Sequence, residues 1–461
     1  MLIKIIFIFL LFFSIILEPN FQGNVDTKIL NIFLIIFLIS TFLHFYFNKS
    51  KNWFRLDLIF ILGFSIVHFQ WPLMYSMDGI TPGDYSFFWA TSNYTKYVNY
   101  GTWLSLLGII SWFFGFSMIK KTDTQYDNSN FINLNYKSFF YFTLFLFTMF
   151  VLTAGQQYLT GAVYRGEAKS ASGDGISVYF QLLFSYSIVI LCAVAILTIL
   201  KNKNLTLYQL TKTIDKKVLF LFIITVLLFL YVGDRGGALQ PIIASLILFG
   251  TFIKPINKKQ FFIIIISGAI IMTIIGITRS EKTDHNTFID NTNKVKFNSS
   301  YDGTLELANS ARTLYKSISN VPERHDYFYG KLWVSQLLAN IPLAQSLYLN
   351  ISGDKFYELD SAEYITYITR GRFSTWGEGT SLIADIYLNF GTIGIIIFMF
   401  LLGIFFKKIM NEFELKSNLY WIIAGAILAS YSFYLGRAGI FYPLRPMLWS
   451  ILLIFIFIKR K

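Results

Sequence analysis

The arginines are the residues of this chain best suited to chemistry, and nine of the eleven fall in segments that we expect on one side of a membrane. A guanidinium group is planar and permanently charged, and it grips a phosphate through two parallel hydrogen bonds. The set therefore predicts an anionic, phosphate-containing ligand, although single members could instead pair with acids or anchor at lipid head groups. The nine are Arg165, Arg235, Arg279, Arg312, Arg324, Arg370, Arg372, Arg437 and Arg445.

Two arginines are expected to lie below the lipid head groups: Arg235, which lies among glycines, and Arg445, which lies between two prolines. Residues 218–232 would extend only about 22 Å as a helix, less than the acyl core of about 30 Å. The turn that follows, Gly233 to Gly237, would thus carry Arg235 into the membrane, unless Asp234 simply neutralises it. Arg445 lies between Pro443 and Pro446, which predicts a broken helix lining a polar cavity, with Arg437 above it. Snorkelling of Arg445 to the interface is the alternative.

Few residues could accept a proton. Two arginines, Arg370 and Arg372, are followed by Glu378 and then by Asp385, which we expect one to two turns inside the membrane. A buried carboxylate beside cations suits a general base, and Asp385 could equally be a hydrogen-bonding residue of helix packing. His325 is a further candidate, although a lone loop histidine is more often solvated. The acids do not follow metal-ligand spacing, so neither a metal nor another cofactor is expected.

Composition sets the class of protein. The chain is 55% hydrophobic and only 14% charged, and its apolar residues form runs long enough to cross a bilayer. The net charge is +13, but the sequence contains no motif typical of nucleic-acid binding. Positively charged cytoplasmic loops and an anionic ligand therefore explain this charge better than nucleic-acid binding does. A single cysteine excludes an intramolecular disulfide. We therefore predict an all-α, polytopic integral membrane protein.

The apolar runs and the lysine-rich connections between them predict about twelve transmembrane helices with both termini in the cytoplasm. Helices one to nine occupy residues 1–278, a large extracytoplasmic loop with short helices occupies 279–379, and helices ten to twelve occupy 380–461. The loop segment 329–351, broken at Pro342, is apolar enough to lie in the membrane interface. The expected spans are 2–17, 30–47, 54–75, 100–119, 138–159, 177–200, 218–232, 236–253, 261–278, 380–406, 419–435 and 440–458.

Three stretches carry a resemblance to a known family: the Gly233–Gly237 turn, the run from Gly379 to Gly391 after the large loop, and the segment from Arg437 to Trp449. With the overall layout, they resemble the O-antigen polymerase (Wzy-type) family of bacterial oligosaccharide repeat-unit polymerases. The layout covers most of the chain, and the sequence likeness covers only these stretches.

The resemblance implies a glycosyltransferase in the bacterial plasma (inner) membrane that acts at its outer face. Its substrates would be undecaprenyl-pyrophosphate-linked oligosaccharides, with lipid pyrophosphate as the leaving group. Its partners would be a repeat-unit flippase and a chain-length regulator, besides the membrane lipids. The catalytic candidates are Asp385, Glu378 and His325, in that order. Pyrophosphate binding would fall to Arg235, Arg437 and Arg445, with Arg312, Arg370, Arg372, Arg165 and Arg279 as further candidates.

Two other functions remain open on the sequence. An O-antigen ligase, which transfers finished glycan to another acceptor, shares the layout of many spans and one large loop. A flippase or transporter of lipid-linked sugars is disfavoured because such proteins tend to consist of two related halves with charges at mid-membrane. We find no such halves here.

Overall fold

A computed structural model describes residues 2–78, 94–120, 134–161, 175–199, 205–280, 302–374, 377–415 and 418–457. Within these ranges the chain forms helices joined by turns, and no strand. The all-α class predicted from the sequence is therefore confirmed.

Nineteen α-helices occur in the described ranges. They are α1 (Leu2–Ile16), α2 (Thr27–Phe47), α3 (Leu56–Asp78), α4 (Val98–Met118), α5 (Tyr136–Thr153), α6 (Gln156–Leu159), α7 (Gly175–Thr198), α8 (Leu207–Thr213), α9 (Lys216–Val232), α10 (Arg235–Phe252), α11 (Lys258–Ser280), α12 (Asp302–Ala308), α13 (Ala311–Ile318), α14 (Val334–Leu338), α15 (Ala344–Ser352), α16 (Ser361–Arg370), α17 (Leu382–Leu415), α18 (Leu419–Leu435) and α19 (Leu444–Phe457). Short 3₁₀ turns occupy Tyr94–Tyr97, Lys331–Trp333 and Phe356–Glu358.

Seven helices in the described ranges are long and apolar enough to cross a membrane: α2, α3, α4, α5, α7, α10 and α17. Three more, α1, α18 and α19, are apolar but shorter. A helix covers most of each of the twelve segments expected to span, because a predominantly apolar run can satisfy its backbone in lipid only internally. Residues 154–155 and 440–443 of these segments are not helical. The count of about twelve spans, the extracytoplasmic loop and the domain boundaries stay predictions.

Helices α4 and α17 form the centre of the bundle. A side-chain carbon at Gly115 would lie 1.9 Å from the carbonyl oxygen of Phe400, and one at Gly403 would lie 2.1 Å from that of Trp112. The two backbones therefore touch, as small residues allow between membrane helices. Trp112 of α4, whose carbonyl takes part in this contact, is buried. Against this pair pack α1, α2, α3 and α18, while α7 and α10 join the bundle through α18.

Helix α17 is broken near its start, and the segment between α11 and α17 caps the break. Gly391 has φ +63° and ψ −157°, a conformation essentially confined to glycine. The carbonyls of Leu388 and Asn389 lose their helical partners there, and they accept the backbone N–H groups of Phe328 (3.0 Å) and Tyr329 (2.9 Å). The connecting segment, residues 302–374, is thus fixed to the central helix through its backbone.

The connecting segment contains short helices. Residues 302–318 carry α12 and α13, and the apolar stretch broken at Pro342 carries α14 and α15. Helix α13 buries Leu314, Tyr315 and Ile318 against the membrane helices. This packing places α12 and α13 over the ends of α3 and α4.

Candidate functional site

The turn between α9 and α10 is shorter than the sequence predicted: it comprises Gly233 and Asp234, and the residues from Arg235 to Gly237 already belong to α10. Gly233 ends α9 in the left-handed region at φ +87°, and Asp234 caps α10 by accepting the backbone N–H of Gly237 at 3.0 Å. The other oxygen of Asp234 accepts the hydroxyl of Tyr158 at 3.2 Å and the amide of Gln181 at 3.4 Å. These contacts occupy both oxygens of Asp234, and its neighbour Arg235 finds its ion-pair partner elsewhere.

Arg235 pairs with a carboxylate of the connecting segment. Its Nη1 lies 2.6 Å from Oε2 of Glu306 on α12, and the Glu306 side chain is half exposed. The Nε and Nη2 atoms of Arg235 are buried, and no described residue offers them a hydrogen-bond acceptor. Two of the three donor nitrogens of this guanidinium are thus without a hydrogen-bond partner among the described residues.

Arg437 and Arg445 lie in the last hairpin, between α18 and α19. Arg437 is exposed in the turn after α18, and Arg445 is partly buried in the first turn of α19. Within the described ranges, no carboxylate lies at ion-pair distance from either side chain. The helix begins at Leu444 and continues through Arg445 and Pro446, so the chain turns over residues 436–443, before Arg445, and not between the two prolines as the sequence predicted.

Four tyrosines connect these three arginines, and we call Tyr186, Tyr431, Tyr434 and Tyr442 the tyrosine cluster. Tyr434 interacts electrostatically with Arg235 and Arg437. Tyr186 and Tyr431 interact with Arg445, and Tyr442 interacts with both Tyr434 and Tyr186. Arg235, Arg437 and Arg445 therefore each lie within electrostatic range of this set of hydroxyl groups, and we call these three the arginine cluster.

Two helix starts add to the positive potential there. Arg235 is the first residue of α10, and Arg445 is the second residue of α19. The first turn of a helix carries a partial positive charge that favours an anion. In α10 the carboxylate of Asp234 already accepts one N–H group of this turn. The site thus combines three guanidinium groups, two helix starts and several hydroxyl donors.

Two other arginines belong to a separate cluster around Glu378. Oε2 of Glu378 lies 2.5 Å from Nη2 of Arg312, and its Oε1 contacts Nε of Arg370. The Glu378 side chain is only 3% exposed, and its backbone N–H donates to the hydroxyl of Thr366 at 2.9 Å. Burial lowers the pKa of nearby Lys316, Arg324 lowers it further, and Glu378 opposes both effects. This carboxylate ties α13 and α16 to the start of α17.

Asp385 is fully buried and accepts hydrogen bonds from three directions. Its Oδ2 accepts the indole N–H of Trp333 (3.0 Å) and the backbone N–H of Ile440 (2.9 Å), and its Oδ1 accepts the side-chain amide of Gln336 (3.2 Å). These donors come from the connecting segment and from the α18–α19 turn. Of the two roles that the sequence left open, the geometry favours hydrogen bonding in packing.

Asn389, one turn further along α17, completes this polar stripe. Its Oδ1 accepts the backbone N–H groups of Gly330 (3.1 Å) and Leu332 (3.3 Å), and its amide donates to the carbonyl of Asp385 (2.9 Å). Asp385 and Asn389 therefore hold residues 330–336 in place next to the broken part of α17.

The remaining candidates lie apart from these clusters or outside the description. His325 is exposed, with its ring stacked on Phe328 at 4.4 Å between centroids. Arg372 is exposed beside the ring of Phe373. Arg279 falls in the last turn of α11, and its side chain, like the whole of Arg165, lies outside the described residues. Among the described residues, no group of three histidines, cysteines or acids is placed to hold a metal ion.

Sequence reasoning missed several residues of the site. The tyrosine cluster escaped because tyrosine is common in membrane helices, although Tyr431 and Tyr434 share one helix face at a spacing of three next to Arg437. Glu306, Trp333 and Gln336 carry no local signal, since their partners lie 49 to 71 residues away along the chain.

The fold and the arginine cluster define a multi-pass membrane protein with a cationic site at the ends of its helices. The model of the family described as O-antigen polysaccharide polymerase Wzy matches residues 1–461, the whole chain. The chain therefore belongs to the O-antigen polysaccharide polymerase Wzy family, whose activity is the polymerisation of O-antigen repeat units. No curated protein and no solved structure is significantly similar to it.

Proposed function

We propose that this chain joins undecaprenyl-pyrophosphate-linked oligosaccharide repeat units into a surface polysaccharide at the outer face of the bacterial inner membrane. The observation that carries the proposal is that Arg235, Arg437 and Arg445 each lie within electrostatic range of the tyrosine cluster in a protein of the Wzy family. A pyrophosphate that bridges a lipid and a sugar is the anion that such a site would suit.

The arginine cluster would act on the leaving group. In the transfer, a hydroxyl oxygen of the acceptor sugar forms a bond to the anomeric carbon of the donor glycan. The bond from that carbon to the pyrophosphate oxygen breaks, and its electron pair stays on the lipid pyrophosphate. Fixed positive charges stabilise this developing negative charge without rearranging at the moment of reaction. The unoccupied Nε and Nη2 donors of Arg235 support this role.

The proton of the acceptor hydroxyl needs a base, and we propose Glu306. Its half-exposed carboxylate lies at the arginine cluster, 2.6 Å from Nη1 of Arg235. Of the earlier candidates, Glu378 is held by two arginines and Asp385 by three hydrogen bonds. We propose that these two position the connecting segment. In a Glu306→Gln variant the turnover rate should fall about 100-fold or more while substrate binding is retained. Equal losses of turnover and of binding would contradict a base role.

The remaining sequence-based expectations fit this proposal. Both chain termini would lie in the cytoplasm, and the connecting segment would lie outside. A flippase that delivers the lipid-linked unit and a regulator of chain length would be the partners. Arg312 and Arg370 would act through Glu378 on the shape of the site, since their guanidinium groups contact that carboxylate.

The test is a reaction with purified protein and a synthetic undecaprenyl-pyrophosphate-linked repeat unit. We expect a ladder of products that differ by one repeat, with release of undecaprenyl pyrophosphate. A single product formed only when a second, different acceptor is added would indicate a ligase. No product at all, in liposomes where the lipid-linked unit nevertheless moves across the bilayer, would indicate a flippase.

A deletion strain gives the matching test in cells. Loss of this chain should leave surface glycan that carries one repeat unit, because units still reach the outer face but are not joined. Unattached long chains in the deletion strain would support the ligase. Absence of any exported lipid-linked unit would support the flippase.

A further inference from the structure

Helix α15 of the connecting segment presents a stripe of large aliphatic side chains to its surroundings. Leu347 and Ile351 are 58% and 81% exposed and lie four residues apart on one helix face, and Leu343, the residue just before the helix, is 64% exposed. We call these three the aliphatic stripe. No residue of α15 is buried in the protein.

The opposite side of α15 is polar and is fixed to the protein. Gln345 donates to the hydroxyl of Ser335 at 3.1 Å, and Tyr348 donates to Asp354 at 3.4 Å. Asp354 in turn pairs with Lys331 at 3.2 Å. The helix is therefore amphipathic, with its stripe held facing away from the protein, as in helices that lie in a membrane interface.

The start of α15 joins the membrane helices through two aromatic residues. The backbone N–H of Leu343 donates to the hydroxyl of Tyr179 on α7 at 3.3 Å. The indole N–H of Trp449 on α19 donates to the carbonyl of Asn340 at 2.8 Å, and the rings of Tyr179 and Trp449 are stacked at 6.1 Å. Leu448 and Leu452, the neighbours of Trp449 on α19, are exposed apolar residues. The stripe thus continues the apolar outer surface of α19.

The same aromatic residues lead to the arginine cluster. The ring of Trp449 meets the ring of Tyr186 edge-on at 6.2 Å, and Tyr186 interacts with Arg445. A path of contacts therefore runs from the aliphatic stripe through Tyr179, Trp449 and Tyr186 to a guanidinium that no described carboxylate neutralises. Apolar surface at one end and positive charge at the other match a molecule with a long hydrocarbon tail and an anionic head.

We propose that the aliphatic stripe binds the polyisoprenyl tail of the lipid-linked substrate and guides its pyrophosphate to Arg445. This inference rests on the proposed function, because it takes a polyprenyl pyrophosphate as the substrate. Tyr179 and Trp449 lie between the tail and the head, where amphipathic aromatic rings are favoured at a membrane interface. The tail then stays in the leaflet while the sugar reaches the connecting segment.

Photocrosslinking tests the contact directly. Benzoylphenylalanine in place of Leu347 should crosslink a labelled undecaprenyl pyrophosphate probe several times more than the same group in place of Leu38. Leu38 is equally exposed, at 62%, on α2, a helix that contributes no residue to the arginine cluster. Unlabelled undecaprenyl pyrophosphate should compete with the probe, and phosphatidylglycerol should not. Equal crosslinking at the two positions would show a general lipid contact and overturn the proposal.

Kinetics separates this proposal from the proposed function. The double variant Leu347→Ser, Ile351→Ser should raise KM for the undecaprenyl-linked unit about 10-fold, with kcat unchanged. A substrate with a short prenyl tail should show no difference between the variant and the unchanged protein. If product ladders form and the variant has the normal KM, the proposed tail-binding site is wrong, but the proposed polymerase activity is supported. If the unchanged protein forms no ladder, the proposed function itself is wrong.

Discussion

The indole N–H of Trp333 donates to Oδ2 of Asp385 at 3.0 Å, and this bond joins the connecting segment to the central helix α17. The same oxygen accepts the backbone N–H of Ile440 in the turn that carries Arg437. One carboxylate therefore ties together three pieces of chain that surround the candidate site. Its substitution should act mainly through the shape of that site.

Replacement of Asp385 distinguishes a positioning residue from a base. Asp385→Ala leaves three hydrogen-bond donors without their acceptor, so it should destabilise the protein by about 2–4 kcal/mol and abolish product formation. Asp385→Asn can keep Trp333 and Ile440 on its oxygen. It can also donate to Gln336, whose Oε1 has no partner among the described residues. We expect Asp385→Asn to retain at least about a tenth of the activity.

The measurement for both Asp385 variants is the rate of ladder formation together with thermal unfolding in detergent. A base cannot be replaced by an amide, so its loss would lower the rate about 100-fold or more. A normally stable Asp385→Asn protein without activity would therefore contradict the positioning role and support catalysis.

Glu378 should contribute to stability through its two arginines. Glu378→Ala leaves Arg312 and Arg370 without this buried carboxylate and should destabilise the protein by about 1–3 kcal/mol. Arg372→Ala is the matched control, because Arg372 is exposed and pairs with no described carboxylate; it should change stability by less than about 0.5 kcal/mol. The measurement is the thermal unfolding of both variants. Equal melting temperatures would show that Glu378 does not contribute to stability.

Gly391 should not tolerate a side chain. At φ +63° an alanine is strained, and its Cβ would lie 2.8–3.0 Å from the ring of Tyr327. We expect Gly391→Ala to cost about 2 kcal/mol or more and to loosen the connecting segment from α17. Gly268→Ala on α11 is the control, since nothing lies within 4 Å of that position. Limited proteolysis should cut the connecting segment faster in Gly391→Ala alone.

Asp360 should make the connecting segment less stable as pH rises. It caps α16 through the N–H groups of Ala362 and Glu363, yet burial raises the pKa of its carboxyl above the usual value. The folded protein therefore favours the protonated acid, and stability is lost as pH rises through the folded-state pKa. Asp360→Asn keeps an equally good cap and removes that charge. It should melt higher than the unchanged protein at pH 7 and at the same temperature near pH 4. An advantage of the variant that does not shrink on acidification would contradict this.

The helices were predictable because apolar runs of spanning length have one way to satisfy their backbone in lipid. The sequence also singled out Arg235, Arg437 and Arg445 as candidates, since prolines, glycines and a short apolar run mark their positions. The partners of these arginines were not predictable. Glu306 lies 71 residues from Arg235 along the chain, and Glu378 contacts Arg312 at a separation that no helical spacing links. The break at Gly391 was not predictable either, because the N–H groups that bond to its free carbonyls belong to Phe328 and Tyr329, which are distant in the sequence.

The arginine cluster is the basis of the proposed function, and its affinity for the leaving group tests it most directly. The quantity to measure is the Kd of undecaprenyl pyrophosphate for the purified protein and for Arg235→Ala, Arg445→Ala and Arg372→Ala. Loss of a charge-assisted contact should weaken binding about 10- to 100-fold in the first two variants, which should also insert normally and form no ladder. The exposed Arg372→Ala should bind as the unchanged protein does. Unaltered affinity and polymer in both Arg235→Ala and Arg445→Ala would contradict the account.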